Sequence, residues 1–343
     1  MRKKLYYKKM FNPEEIIFCP TAECNLHCPH CFVSQSKITL DTQKSINFLV
    51  SAATNIQKVG FSGGEPFLNL EFLLAVIKKT VQLDLLFDQI MTNGTWWKNP
   101  EELHSTLQKI QEAGYDGKIG LSWDIFHNQN PQKIEYFIET VQQYFGKESI
   151  NIQSVKHHEG GSLPPSRHFV ASIPLSSGGT KNNSAAPATP PENKSAQKTF
   201  YKSAKKWESM FKTFTKNHPE IPVYKLPQTF LSEDKRAWQN FFWFKEDYCE
   251  GPGQILYIHA NGKIAPCCGF ANENEQLFIG TIDDNFQTVM KNAEKNKMVK
   301  LCYETGLSNY RKEIQKKIHD QGTKFPGKCR DICSFCDFIC KNF

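Results

Sequence analysis

Residues 24–31 read Cys24-Asn25-Leu26-His27-Cys28-Pro29-His30-Cys31 and carry three cysteines in the spacing C-x3-C-x2-C. The stretch follows a short apolar run, Ile16-Ile17-Phe18, which predicts a buried strand. Thiolates are soft ligands that select zinc, copper(I) or iron–sulfur clusters. A structural zinc ion or a fully ligated cluster takes four protein ligands. Three cysteines therefore predict a metal centre with one open position.

A second motif, Phe61-Ser62-Gly63-Gly64-Glu65-Pro66, follows another strand-like run. Together the two motifs resemble the radical S-adenosylmethionine (SAM) superfamily, whose signature is a C-x3-C-x2-C loop after the first barrel strand and a Gly-Gly-Glu turn after the second. The resemblance implies a 4Fe–4S cluster on Cys24, Cys28 and Cys31, with SAM on the open iron. It also implies cleavage of SAM to a 5′-deoxyadenosyl radical that abstracts hydrogen from a substrate. The alternative is a structural zinc site completed by His27 or His30.

The same resemblance implies which residues contact SAM. Gly63 and Gly64 lack a Cβ and would let backbone carbonyls approach SAM, and Glu65 would pair with its ammonium group. His30 occupies the position where the family usually has a large aromatic residue near the adenine. Three residues at predicted strand ends complete the set: Asn93, Ser122 and Asp124. For Asn93 the alternative is turn chemistry, and for Asp124 it is a cap on the following loop.

Strand-like and helix-like runs alternate through the N-terminal half, which predicts βα units around a parallel sheet. The predicted strands are 15–20, 58–62, 87–91, 118–123, 150–155 and 221–224. The predicted fold class is α/β, a partial (β/α)6 TIM-type barrel with a small C-terminal Cys-rich β-hairpin and helix domain. The predicted organisation is a basic tail (1–14), the barrel (15–227) with a low-complexity insertion (159–197), and the C-terminal domain (228–343).

In the C-terminal part, Cys249 precedes and Cys267 follows a predicted hairpin whose Asn261-Gly262 centre predicts a type I′ turn. A Cys-rich tail completes the pattern: Cys329-x3-Cys333-x2-Cys336-x3-Cys340. This resembles the SPASM or twitch extension of radical SAM enzymes, with the pattern C-x9-15-G-x4-C, although the tail spacing departs from the SPASM pattern.

The SPASM or twitch resemblance implies at least one auxiliary 4Fe–4S cluster, held by Cys249, Cys267, Cys333 and Cys336. Cys329 and Cys340, with Cys268 or Cys302, are candidates for a second cluster. Zinc is the alternative metal for these cysteines because C-x2-C is a common zinc half-site.

Length, charge and cysteine content indicate which broad classes of protein the chain can belong to. The chain has 343 residues, a net charge of +7 and twelve cysteines. No apolar stretch approaches the roughly 20 residues of a membrane span, and the basic start lacks the apolar region of a secretory signal. Many cysteines without an export signal predict metal chemistry in a reducing compartment, hence a cytoplasmic protein without a membrane partner. The mild positive charge does not require a nucleic-acid partner.

The sequence therefore predicts a radical SAM enzyme that acts on a peptide or protein side chain by oxidation, crosslinking or epimerisation. Two alternatives are a SPASM/twitch dehydrogenase of a small molecule and a non-catalytic zinc-binding scaffold. One expected partner is an electron donor such as flavodoxin or ferredoxin. Since only about fifteen residues precede the first strand, we expect a peptide substrate to be recognised either by a separate protein or by this chain's own insertion and C-terminal part. The sequence identifies no general base or hydrogen donor.

Overall fold

A computed structural model describes residues 11–155, 194–244, 254–320 and 325–343. Six strands of its N-terminal part lie parallel and pair in sequence order. They are β1 (Glu15–Phe18), β2 (Lys58–Phe61), β3 (Leu86–Thr92), β4 (Lys118–Ser122), β5 (Ile150–Val155) and β6 (Val223–Leu226). Consecutive parallel strands joined by helices are the arrangement of a TIM-type partial barrel, so the predicted fold class is confirmed.

Helices connect these strands and cover the outside of the sheet. They are α1 (Thr42–Ala52), α2 (Leu70–Gln82), α3 (Pro100–Glu112), α4 (Pro131–Phe145) and α5 (Lys194–Asn217). Asp41 caps α1 by accepting a hydrogen bond from the Lys44 backbone N–H at 2.8 Å. The predicted insertion lies outside the described residues, except for residues 194–197, which begin α5. Residues 1–10 of the predicted tail also lie outside them.

Side-chain alternation along β1 separates the core from the inside of the barrel. Ile16 and Phe18 are fully buried, whereas Ile17 and Glu15 are only partly buried. Because side chains alternate between the faces of a strand, Glu15 and Ile17 lie on the opposite face from Ile16 and Phe18. The loops that follow the strands all emerge at one edge of the sheet, which is where the sequence motifs lie.

The C-terminal part continues the same sheet. The strand β7 (Ile255–Ile258) pairs in parallel with β1, and β8 (Lys263–Ala265) and β9 (Gly280–Thr281) follow antiparallel. The sheet therefore has the order β6-β5-β4-β3-β2-β1-β7-β8-β9. The predicted domain boundary at 227/228 stays a prediction. The strand β1, on the N-terminal side of this boundary, is hydrogen-bonded to β7 on its C-terminal side.

Four helices and one π-helical turn complete the C-terminal part. They are α6 (Phe286–Lys295), α7 (Lys297–Lys300), the π turn (Leu301–Thr305), α8 (Leu307–Asp320) and α9 (Ile332–Asn342). No helix within the described ranges is long and apolar enough to cross a membrane.

The β7–β8 hairpin is confirmed, but the predicted type I′ turn is wrong. A type I′ turn needs positive φ at both central residues. Among the described residues other than glycine, only Asp84 and Asn128 have positive φ, and Asn261 is not one of them. The His259 N–H donates to the Lys263 carbonyl at 2.9 Å, and Gly262 has a φ of +81°. Three residues separate this pair, one more than a type I′ hairpin allows.

Candidate metal and cofactor site

The three cysteines of the first motif lie in the loop between β1 and α1, called here the cysteine loop (residues 19–40). Two backbone hydrogen bonds close its base: Ala22 N–H to the Ile38 carbonyl and Leu40 N–H to the Pro20 carbonyl, both at 3.0 Å. Cys24, Cys28 and Cys31 are each partly buried. The loop thus holds its thiols at the carboxyl edge of the sheet, where the sequence predicts them.

The thiols of the cysteine loop influence one another. Burial, followed by smaller contributions that include the charges of Glu65 and Cys31, raises the pKa of Cys24 to about 11. Burial and then the neighbouring Cys31 and Cys24 also raise the pKa of Cys28. Adjacent thiols that are partly buried cannot all ionise unless a cation compensates their charge, and a bound metal deprotonates them outright. The donor set therefore fits a cationic metal centre.

Gly63 and Gly64 pack directly against the base of the cysteine loop. Gly63 has a φ of +120°, and a Cβ at this position would lie 2.2 Å from the Cys19 Sγ. A Cβ at Gly64 would lie 2.1 Å from the Glu23 carbonyl oxygen. Only glycine permits this approach. The two glycines are therefore required for the cysteine loop to pack against the turn after β2. Contact between these glycines and SAM stays a prediction.

The Glu65 carboxylate is fully buried beneath the cysteine loop. It accepts hydrogen bonds from Thr92 Oγ1 and from the Asn93 N–H, both at 2.8 Å, and from the Phe67 N–H at 3.3 Å. Burial raises its pKa to about 7, against the opposing effect of these three donors. Glu65 therefore fastens the end of β3 to the turn after β2. Its predicted pairing with the SAM ammonium group stays a prediction.

Asn93 joins the end of β3 to the cysteine loop. Its amide nitrogen donates to Asn25 Oδ1 at 2.8 Å and lies 3.7 Å from the Cys24 Sγ. Its amide oxygen accepts from the Thr95 N–H at 2.8 Å. The sequence predicted Asn93 as a site residue but missed Asn25 and Thr95. The only sequence signal for Asn25 is its place inside the cysteine motif.

His30 and Asp124 face each other beside the cysteine loop. The His30 Nε2 and Asp124 Oδ2 atoms are 3.7 Å apart, and His127 Nδ1 lies 2.8 Å from the other Asp124 oxygen. Burial lowers the pKa of His30 to about 4, although Asp124 opposes this shift. Burial would raise the pKa of Asp124, but the hydrogen bond and charge of His127, and then His30, hold it below its ordinary value.

Asp124 also performs the capping role that was the alternative to SAM binding. Its Oδ1 accepts from the Phe126 N–H at 2.9 Å, and its Oδ2 accepts from the Val155 N–H at 3.2 Å. The ligand atoms of His30, Asp124 and His127 lie within 4.8 Å of one another, close enough for a metal ion. Because both carboxylate oxygens already accept hydrogen bonds from the chain, we interpret the group as a hydrogen-bonded array. The sequence analysis missed His127, whose signal is its i,i+3 spacing from Asp124.

Ser122, the last predicted SAM contact, lies at the end of β4. Its carbonyl accepts from Gln129 Nε2 at 2.8 Å, and the same nitrogen donates to the Asn93 carbonyl at 2.6 Å. Gln129 thus connects the ends of β3 and β4. Sequence reasoning did not find Gln129, because a glutamine in a loop carries no local pattern.

The C-terminal cysteines fall into distinct surroundings. Cys336 lies 3.9 Å from Cys302, sulfur to sulfur, and Cys340 follows one turn later on α9. Cys333 packs against Gly269, and the Cys329 thiol donates to the Asp331 carbonyl at 3.0 Å. Cys249 lies outside the described residues. The predicted ligand sets for one or two auxiliary clusters stay predictions.

A small open depression of about 30 Å³ adjoins the cysteine loop. Its lining comes from the loop and from the segment after β6: Pro29, His30, Cys31, Phe32, Gln228, Thr229, Phe230, Leu231, Asp234 and Arg236. Phe32 also stacks on Phe270 of the C-terminal part, with ring centroids 4.5 Å apart. The third cysteine thus borders a small depression at the surface.

Comparison with known proteins agrees with this geometry. Residues 16–122 match the family described as a 4Fe-4S single cluster domain. The fold is similar to the solved structure of anSMEcpe with bound AdoMet and a peptide, with a TM-score of 0.51 and 15% identity over 90% of this chain and 97% of that one. The resemblance to the radical SAM superfamily is confirmed.

Further similarities accompany the radical SAM resemblance. The chain is 32% identical over 101 residues to the 7,8-dihydro-6-hydroxymethylpterin dimethyltransferase of Methanocaldococcus jannaschii, covering 27% of this chain and 19% of that protein. The match thus spans about a fifth of that curated relative. The solved structure of BtrN with AdoMet and 2-DOIA gives a TM-score of 0.47 at 14% identity, covering 93% of this chain and 94% of BtrN.

Proposed function

We propose that this chain is a radical SAM enzyme whose Cys24, Cys28 and Cys31 hold a 4Fe–4S cluster, with SAM on the open iron. When bound, these cofactors supply a 5′-deoxyadenosyl radical that takes a hydrogen atom from the substrate. The observation that carries the proposal is the donor set itself: three partly buried thiols on one loop, seated by the Gly63-Gly64 turn, within the matched residues 16–122. A low-potential protein such as flavodoxin or ferredoxin would supply the electron.

The positions of the sulfur atoms support an iron–sulfur cluster over a zinc ion. A zinc ion bound tetrahedrally at about 2.3 Å brings its sulfur ligands to about 3.8 Å from one another. Within the part of the chain that the structure describes, no three cysteine sulfurs lie within 4.8 Å of one another. A cluster of four irons accommodates a wider spacing than a single ion does.

The chain's own residues would orient the cofactor and limit access to it. Asn93 places an amide beside the Cys24 sulfur, and hydrogen bonds to iron–sulfur ligands tune the reduction potential. His30, whose pKa is about 4, is neutral at pH 7 and presents an uncharged ring beside the third cysteine. Phe126 lies 4.9 Å from that ring, between centroids, and so adds apolar surface next to it.

For the substrate, we propose a peptide or protein side chain. The depression beside Cys31 is small, but Phe32 and Phe230 border it and offer apolar surface to a side chain of an extended peptide. The solved structure of anSMEcpe, whose fold is similar, contains a bound peptide.

The test compares SAM cleavage in two variants of neighbouring residues. Anaerobically reconstituted protein with SAM and dithionite should form 5′-deoxyadenosine, measured by chromatography. We expect Cys28→Ala to abolish product formation and to lose the iron of the cysteine loop. His27→Ala is the matched control, because His27 is exposed within the same loop and is a ligand only in the zinc alternative.

Two outcomes would contradict the proposal. One is full turnover by the Cys28→Ala variant. The other is a colourless protein that contains stoichiometric zinc and loses this zinc on His27→Ala substitution.

A further inference from the structure

Two of the residues that line the depression beside Cys31 each carry a buried nitrogen atom without a hydrogen-bond partner. The atoms are Nδ1 of His30 and Nε2 of Gln228, and neither has a partner among the described residues. Buried polar groups in proteins are nearly always hydrogen-bonded, so an unpaired one calls for a ligand or a water molecule. Here two such atoms come from separate segments and border one small space. The pair indicates a binding site for a polar group.

The chemistry of each nitrogen follows from its group and its surroundings. The amide nitrogen of Gln228 can only donate. On His30 the other ring nitrogen, Nε2, lies 3.7 Å from Asp124 Oδ2. An ionised carboxylate accepts hydrogen bonds and cannot donate them, so it favours the hydrogen on Nε2 and leaves a lone pair on Nδ1. The depression therefore offers one acceptor from His30 and one donor from Gln228.

Contacts with the C-terminal part hold two aromatic side chains at the border of the depression. The Ser334 hydroxyl donates to the Phe230 carbonyl at 2.7 Å, and the Arg236 guanidinium carbon lies 4.3 Å from the centre of the Phe230 ring. Phe32 stacks on Phe270, with ring centroids 4.5 Å apart. Aromatic faces favour contact with other planar groups, so the surroundings suit a planar ligand.

We propose that this depression binds a planar edge on which an N–H donor and an acceptor lie side by side. The donor would pair with His30 Nδ1 and the acceptor with Gln228 Nε2. The volume of about 30 Å³ admits such an edge rather than a whole ring. The inference rests on the proposed function for the presence of SAM and of a peptide substrate.

Two parts of the proposed ligands present this edge. One is the adenine of SAM, with its 6-amino group beside a ring nitrogen. The other is the primary carboxamide of an Asn or Gln side chain in a peptide substrate. A trans peptide bond does not present it, because its N–H and its carbonyl point in opposite directions.

The first arm of the experiment tests adenine as the source of the edge. Calorimetric titration of the anaerobically reconstituted full-length chain compares S-adenosylhomocysteine with S-inosylhomocysteine, in which a carbonyl acceptor replaces the 6-amino donor. Because the mismatch leaves buried polar atoms unpaired, we expect the inosine compound to bind about tenfold to hundredfold more weakly. His30→Phe keeps an aromatic ring but lacks the acceptor, so it should lose this preference.

Gln228→Leu is the second variant, and it should weaken binding of S-adenosylhomocysteine by about tenfold. Gln143→Leu makes the same substitution at an exposed position of α4 and is the matched control, with the affinity of the wild type. His30 and Gln228 lie on separate segments, so either variant tests the site if the other does not fold.

The second arm tests a primary carboxamide as the source. Ligand-observed nuclear magnetic resonance compares propionamide with propionate, which has a similar shape but two acceptor oxygens. If the site binds a carboxamide, propionamide should bind to the wild type and to Gln143→Leu, but not to Gln228→Leu. Propionate should not bind to any of them.

Three results would overturn the proposal. The first is no preference between the two nucleoside compounds together with no binding of propionamide, as for a depression that holds water alone. The second is a preference for propionate over propionamide, which would require two donors. The third is unchanged binding of the preferred probe by both His30→Phe and Gln228→Leu. If the wild type forms no 5′-deoxyadenosine from SAM but shows either preference, the proposed function fails and this inference stands.

Discussion

At the scale of single residues, the structure explains why glycine is needed in the Gly63-Gly64 turn. Both positions approach the cysteine loop more closely than any side chain allows, and Gly63 also has positive φ. The sequence resemblance assigns these glycines to SAM, whereas the contacts in the structure are with Cys19 and the backbone at Glu23. A residue can thus be required next to a cofactor site through the fold of the loop that builds the site.

Replacement of Gly63 by alanine should therefore destabilise the protein through two effects. The first is the positive φ, which costs about 1–3 kcal/mol for residues other than glycine. The second is the collision with the Cys19 sulfur, and overpacking of this kind costs about 1–3 kcal/mol more. Thermal or urea unfolding measures the sum.

Gly146→Ala is the matched control for this prediction. Gly146 has a φ of +90°, but no atom lies within 4 Å of where its Cβ would be. This variant should show the φ cost alone. Equal destabilisation by the two substitutions would contradict the proposed clash at Gly63.

At the scale of a single element, β1 carries a titratable group at the end opposite the cysteine loop. Glu15 begins the strand, and its Oε1 is buried without a hydrogen-bond partner. Burial, and then the charge of Asp88, raise its pKa from 4.5 to about 7, while Lys58 on β2 opposes them. The strand therefore has a carboxyl that is stabilised at acid pH at one end and is followed by the cysteine loop at its other end.

The Glu15 carboxyl should make stability depend on pH. The folded chain binds this proton more tightly than the unfolded chain, so the stabilisation is complete below about pH 4.5 and is lost as pH rises through 7. Glu15→Gln stays neutral at every pH. The wild type should lose stability between about pH 5 and 7 while the variant does not. The unfolding free energy of Glu15→Gln minus that of the wild type should therefore increase by up to about 1.4 kcal/mol per pH unit over this range.

Urea unfolding at several pH values tests this prediction. Glu14→Gln removes a carboxylate from the neighbouring exposed position and serves as the control. A pH-independent difference between Glu15→Gln and the wild type would contradict it.

At the scale of the whole molecule, one sheet connects the two predicted domains. β1 lies between β2 and β7, with Ile16 opposite Leu256 and Phe18 opposite Ile258. All four side chains are fully buried. Since the first strand of the barrel needs β7 to satisfy its backbone groups, the two parts should unfold together.

Leu256→Ala tests this coupling. Removing a fully buried leucine costs about 2–5 kcal/mol, and the loss should appear in the N-terminal part as well as around β7. Hydrogen exchange with mass spectrometry would show faster exchange in both β1 and β7. Leu226→Ala on the edge strand β6, where the side chain is 39% exposed, should have a much smaller effect. Unchanged protection of β1 would mean that the two parts fold independently.

The sequence by itself determined the parallel barrel strands, the cysteine loop and the Gly-Gly-Glu turn, because alternating apolar runs and fixed spacings are local properties of the chain. Asn93 and Asp124 were also found locally, as polar residues at strand ends. Tertiary structure alone decided that β7 pairs with β1, that Glu65 lies beneath Asn93, and that Cys302 meets Cys336. Those contacts join residues far apart in the sequence, and only packing of the whole sheet brings them together.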